Sequence, residues 1–179
     1  MSRFYFFLWI RWSIRLTLCS TIFASIISFF ITITIYTSQG MANLSSEVTD
    51  ALINVFLFWF PIVWSFTLLL ALFRALKYIF NVCISGYMIN LYSCDGKELL
   101  QDIGYGDIVK VWRKWFMLII WLVGSLMILS LVFTYMFTSY SGVFEWFNIY
   151  WLFAFILLSG YFSFILMSAR CKRVKVEKC

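Results

Sequence analysis

The amino-acid sequence predicts an all-α, polytopic integral membrane protein: four transmembrane helices in a bundle, amphipathic helical additions on the cytosolic side, and both termini in the cytosol. Three observations lead there. Apolar residues make up 64% of the 179 residues, more than a soluble domain of this size can hide. Four stretches carry no charge, 16–37, 51–73, 116–138 and 146–169, each 22 to 24 residues long. A helix needs about 20 apolar residues to cross a bilayer core, so each stretch is long enough. The third observation is where the 14 cations fall. Arg3, Arg11 and Arg15 precede the first span, and Arg74, Lys77, Lys97, Lys110, Arg113 and Lys114 lie between the second and third. Arg170, Lys172, Arg173, Lys175 and Lys178 follow the fourth, and the connections 38–50 and 139–145 hold none. Lys and Arg flanking spans are retained in the cytoplasm, which sets the expected orientation. One membrane domain, 1–179, with a cytosolic loop 74–115 and a cytosolic tail 170–179, follows from this spacing.

Residues 1–15 mix aromatic rings with Arg11 and Arg15. Trp9 and Trp12 suit a helix that lies at the headgroup level before turning inward. The apolar run that follows is longer than the roughly 7–15 residues of a signal-peptide core, so it is expected to stay as the first helix. Within it Ser20, Ala24, Ser28 and Thr32 recur every four residues and share one helix face. Small residues let helices approach, and hydroxyls bond across the gap, so these four are the expected helix-packing residues.

The second span holds the single proline, Pro61, which removes one backbone hydrogen bond and bends the helix. After it comes an apolar run, 78–92, of 15 residues, shorter than the roughly 20 a span needs. Arg74, Lys77, Asn81 and Ser85 form a polar stripe at helical spacing, so the run is expected to continue the second helix along the inner membrane surface or to pack under the bundle, with a re-entrant loop as the alternative. Asp95-Gly96 marks a turn, 97–103 a short helix, and Asp107 a cap for a helix running through Trp112 and Trp115 into the third span. Gly124-Ser125 in the third span and Ser159-Gly160 with Ser163 in the fourth are weaker packing faces of the same kind.

The run Ile103-Gly104-Tyr105-Gly106-Asp107 resembles, over five residues, the selectivity filter of potassium channels, Thr-Val-Gly-Tyr-Gly-Asp. The resemblance ends there. Asp102 stands where the family has its ion-binding threonine, and the preceding 95–102 is charged where the family has an apolar pore helix. A filter needs carbonyls that replace hydration inside a low-dielectric protein, and a charged loop on the cytosolic side supplies none. The segment is expected to serve as a turn between helices.

Histidine is absent, which removes the commonest general base and metal ligand. No ionisable side chain interrupts a span, unlike the relays of pumps and proton-coupled carriers. Cys19, Cys83, Cys94, Cys171 and Cys179 match no zinc spacing and avoid the outer connections, so free thiols are expected. No cofactor is expected. The net charge of +6 is accounted for by orientation rather than by nucleic acid; membrane lipids and other membrane proteins or self-association are the expected partners. The densest charges off the spans are Lys97, Glu98, Asp102, Asp107, Lys110 and Arg113, the expected cytosolic partner surface.

Three function classes fit, the least supported being a membrane enzyme that uses the cytosolic carboxylates or cysteines. One is a non-enzymatic bacterial inner-membrane protein serving a larger membrane machine, such as a secretion or conjugation apparatus, as a subunit, accessory, or exclusion or immunity factor. Another is an oligomeric channel, holin-like or transporter component.

Overall fold

The computed structural model describes residues 2–40, 45–92, 104–137, 148–170 and 174–179. Four helices and two short strands run in the order α1 (Ser2–Ser38), α2 (Ser46–Lys77), β1 (Tyr87–Leu91), α3 (Tyr105–Phe137), α4 (Ile149–Arg170) and β2 (Val174–Lys178). All four helices are long and apolar enough to cross a membrane, over Arg3–Ser38, Ser46–Lys77, Ile108–Met136 and Ile149–Ala169.

α1 has 37 residues and at a rise of about 1.5 Å per residue is roughly 55 Å long. That exceeds a bilayer core of about 30 Å. The expected turn between a surface segment and the first span is therefore corrected: residues 2–38 form one helix. No Gly or Pro interrupts them, so nothing in the backbone offers a break. α2 likewise continues through Pro61. Two helix starts carry side-chain caps. Ser45 Oγ accepts from the Val48 amide at 3.4 Å, and Asn148 Oδ1 accepts from the Tyr150 and Trp151 amides at 3.1 and 3.2 Å, satisfying donors that a helix start leaves orphaned. α3 begins earlier than the expected cap at Asp107. The Ile108 amide already donates to Gly104 O at 3.2 Å, so Gly104 precedes the helix and Asp107 lies inside it.

The described residues form two compact units. One comprises Ile14–Ala75, the other Met1–Ser13 with Leu76–Cys179. In the first, α1 and α2 meet through side chains on the face of α2 that buries Trp64, Thr67, Leu68, Ala71 and Leu72. Phe56, Phe60 and Trp64 stack in succession along α2, with ring centroids 5.8 and 6.0 Å apart.

In the second unit α3 packs along α4, and the first turns of α1 run against α4 in the opposite sense. The Tyr5 hydroxyl lies 2.6 Å from Ser168 Oγ, and the Trp9 indole N–H donates to Leu157 O at 2.7 Å. Trp12, Trp115 and Phe164 form a buried aromatic core with centroids 5.3 to 6.0 Å apart. Trp12 and Trp115 sit edge to face at 87°, the arrangement the ring quadrupoles favour.

β1 and β2 correct the expected helical course of 78–92 and add a two-stranded sheet to a mostly helical chain. α2 stops at Lys77. Asn81, Ser85 and Gly86 then take positive φ of 57°, 52° and 80°, a region that ends a right-handed helix. Ile84 and Tyr87 exchange both backbone hydrogen bonds, at 2.8 and 3.0 Å. Ser85-Gly86 is thus a two-residue turn with both central residues left-handed, the geometry that suits a twisted hairpin. β1 pairs antiparallel with β2, Tyr87 opposite Lys178 and Leu91 opposite Val174.

Candidate functional site

The expected packing residues of the first helix are buried. Ser20, Ala24 and Ser28 have no exposed surface and Thr32 has 8%. Ser20 is the most connected of them. Its hydroxyl donates to Thr17 O at 3.2 Å and accepts the Trp64 indole N–H at 3.1 Å. Thr67 Oγ1 lies 3.1 Å from both Ser20 O and Trp64 O, so its one proton is shared. The small side chain at position 20 makes room for an indole of α2. Thr32 turns its hydroxyl back onto Ser28 O at 2.9 Å. Ser28 Oγ is buried without a hydrogen-bond partner among the described residues.

The faces expected on the third and fourth spans separate. On α4, Ser159 and Ser163 are fully buried. Ser163 Oγ accepts the Trp115 N–H at 2.9 Å and donates to Gly160 O at 2.7 Å. A Cβ at Gly160 would meet Trp12 Cζ3 at 2.4 Å and Cη2 at 2.7 Å, so glycine is what lets the indole lie against α4. On α3 the expectation is corrected: a Cβ at Gly124 would meet nothing within 4 Å, and Ser125 is exposed, its hydroxyl bonded to Trp121 O in its own helix at 2.8 Å.

Of the expected partner surface, Lys97, Glu98 and Asp102 lie outside the described residues, and Asp107 lies within α3 with its side chain outside the description. Lys110 and Arg113 are exposed on α3, joined there by Lys114. The opposite face of the same turns buries Ile108, Val111 and Trp115, so apolar anchoring turns these three cations outward together. Of the filter-like run, Gly104 directly precedes this helix, and Tyr105 and Gly106 form its first turn rather than an extended backbone.

The strand pair carries chemistry that the sequence expectations missed. Cys83 and Cys179 form a disulfide across 96 residues of sequence, which corrects the expectation of free thiols at these two positions. Cys19 is free and exposed, and Cys94 and Cys171 lie outside the described residues. The register explains the bond. Tyr87 faces Lys178, one step further the Cys179 amide donates to Gly86 O at 3.2 Å, and the turn Ser85-Gly86 brings Cys83 back beside that position. Along the same ladder Glu177, paired with Met88, accepts from Asn90 Nδ2 at 2.6 Å and from the Tyr92 hydroxyl, and the Lys175 ammonium lies 4.7 Å from the Tyr92 ring centroid. These contacts move two titrations apart. The hydrogen bonds from Tyr92 and Asn90, with Lys175 nearby, hold the Glu177 carboxyl below its ordinary value. The same bond to Glu177 pushes the Tyr92 phenol above its own.

Among the described residues no three His, Cys, Asp or Glu side chains gather as a metal site. No family model, no curated protein and no solved structure matches this chain.

Proposed function

We propose that the protein is a non-enzymatic subunit, accessory or exclusion factor of a larger membrane machine, such as a secretion or conjugation apparatus. It would sit in a bacterial inner membrane with both termini in the cytoplasm. The observation that carries the proposal is the concentration of charge. A chain with four uncharged spans gathers Lys97, Glu98, Asp102, Asp107, Lys110 and Arg113 within one connection. Lys110 and Arg113 stand exposed at the start of α3. Such a surface selects a partner by charge complementarity, which governs specificity and association rate. The buried contacts of α4 with α3 anchor the helix that carries Lys110 and Arg113. Anionic lipid headgroups are a further partner for the same cations.

Replacing Glu98, Asp102 and Asp107 together by Gln, Asn and Asn tests the proposal while sparing orientation, because acidic residues contribute little to it. Membrane insertion and abundance should be normal, and proteins that co-purify with the natural chain in mild detergent should be lost. Unchanged co-purification at normal abundance would remove this surface from the function. A homo-oligomer that conducts ions in planar bilayers would replace the proposal with a channel.

A further inference from the structure

We propose that Cys83 and Cys179 are a reversible thiol–disulfide switch that locks and releases the strand pair β1–β2, in exchange with a low-molecular-weight thiol of the glutathione class. The proposal rests on the cytoplasmic placement of the cation-rich ends. Arg74 and Lys77 precede Cys83, and Lys175 and Lys178 precede Cys179, so both cysteines belong to the side that the cations retain. Persistent disulfides belong to oxidising compartments, and the cytosol keeps thiols reduced. A pairing on that side is one that opens and closes.

The local structure suits such exchange. Both cysteines are exposed, so an incoming thiolate reaches either sulfur, and access is what makes a disulfide labile. The partners do not depend on the bond to stay close. The Cys179 amide donates to Gly86 O at 3.2 Å, and five residue pairs from Tyr87↔Lys178 to Leu91↔Val174 hold the strands. A two-stranded sheet is only marginally stable by itself. Packing of Ile89, Leu91 and Val174 holds the far end, and closing the bond fixes the exposed Cys179 end, which frays without it.

The chemistry balances within the named reagents. On closing, one protein thiolate attacks a sulfur of glutathione disulfide, forming a mixed disulfide and releasing one glutathione thiolate. The second protein thiolate attacks the protein sulfur of that mixed disulfide, and the second glutathione leaves. The two protein thiols lose two protons and two electrons in all, and the glutathione disulfide takes the electrons. On opening, two glutathione thiols reverse both steps.

The test uses the full chain in intact cells. Cells are quenched in acid, and the remaining thiols are alkylated with a maleimide polymer and counted on a gel, with and without a diazene oxidant that converts glutathione to its disulfide. The expected result is two fewer adducts after oxidation, restored when the oxidant is removed. Cys83→Ser and Cys179→Ser should each abolish the change, and Cys19→Ser should leave it. In purified protein, β1 and β2 amides should exchange faster after reduction, while α4 amides hold. A bond already closed in unstressed cells, thiols that never close under oxidant, or strand exchange indifferent to reduction would each overturn the switch. An impermeant phosphine and maleimide added to intact cells separate the two layers. A bond closed at rest that these reagents cannot reach overturns the switch alone; one that they open and label from outside overturns the cytoplasmic placement as well.

Discussion

Polar groups hold this protein together in two different ways, and the contrast follows the solvent each region is built for. The helix-to-helix hydrogen bonds described above are neutral. Ser20 takes the Trp64 indole, Ser163 takes the Trp115 indole, and Trp9 reaches Leu157 O. At the strand pair they are charged and covalent: Glu177 with Asn90 and Tyr92, Lys175 over Tyr92, and the Cys83–Cys179 bond. A hydroxyl facing an indole leaves no net charge to desolvate, whereas an ionised group in a bilayer is expensive. Helix association in lipid relies on close packing rather than on the hydrophobic effect. The short two-stranded sheet buries Ile89, Leu91 and Val174 at one end, whereas Tyr87, Lys178 and Cys179 at the other are not buried, so a polar and covalent cross-link adds most where packing gives least. The helices should therefore respond most to volume, and the strands to pH and redox state.

Gly160→Leu should give the largest effect. A first side-chain carbon already falls 2.4 Å from a buried Trp12, and that indole is clamped by Trp115 and Phe164. Overpacking of about 3 kcal/mol is expected, read as lost thermal stability in detergent. Trp12→Ala in the same chain should recover part of the loss. Equal losses in single and double variants would show that the indole does not lie on α4. Gly124→Leu, at an open position, should cost little and serves as the control.

Ser20→Ala comes next. It strands a buried indole N–H, and polar contacts between membrane helices are worth about 1 kcal/mol. Ser20→Cys, which keeps a weak acceptor at similar volume, should lie between the two. If Ser20→Ala is as stable as the natural chain, the Trp64 indole has another acceptor and the hydroxyl face is only a matter of size.

The smallest effect is the one that titrates. Glu177 has its folded pKa lowered, so its contribution is complete above the ordinary carboxylate range and is lost as pH falls through the lowered value. Tyr92 has its folded pKa raised, so its contribution is complete below the ordinary phenol range and is lost as pH rises through the raised value. Hydrogen-exchange protection at β1 and β2, taken relative to the intrinsic rate at each pH, should be greatest between these limits and fall at both. Glu177→Gln should abolish the acid limb while leaving the helices unchanged. Identical acid limbs in both proteins would assign the loss to another group.

The uncharged stretches of the helices were legible because charge borders them, as Arg15 and Arg74 do, but both lie inside α1 and α2, so the helix ends were not marked by charge; no Gly or Pro breaks α1. The buried stripe Ser20, Ala24, Ser28 and Thr32 showed in its four-residue period. Gly160 and Gly124 could not be told apart, since each sits beside a serine in an apolar run, and only the indole of Trp12 distinguishes them. The strand pair did leave signals. Ser85-Gly86 is a turn dipeptide, and Val174-Lys175-Val176-Glu177-Lys178 alternates with the period of a strand. The polar stripe of Arg74, Lys77, Asn81 and Ser85 masked the first by mimicking a helix. The disulfide was beyond reach, because pairing across 96 residues is decided by the register of the strands and not by cysteine spacing.

The most direct measurement of the account is the side of the membrane on which its charge lies. Single cysteines at Asn43, Gly142 and Lys97, introduced into a chain whose own cysteines are replaced by serine, can be exposed to an impermeant maleimide in intact cells. Labelling at positions 43 and 142, with position 97 labelled only after the membrane is opened, is the result expected from four spans with the cation-rich ends inside. Labelling of position 97 in intact cells would contradict it.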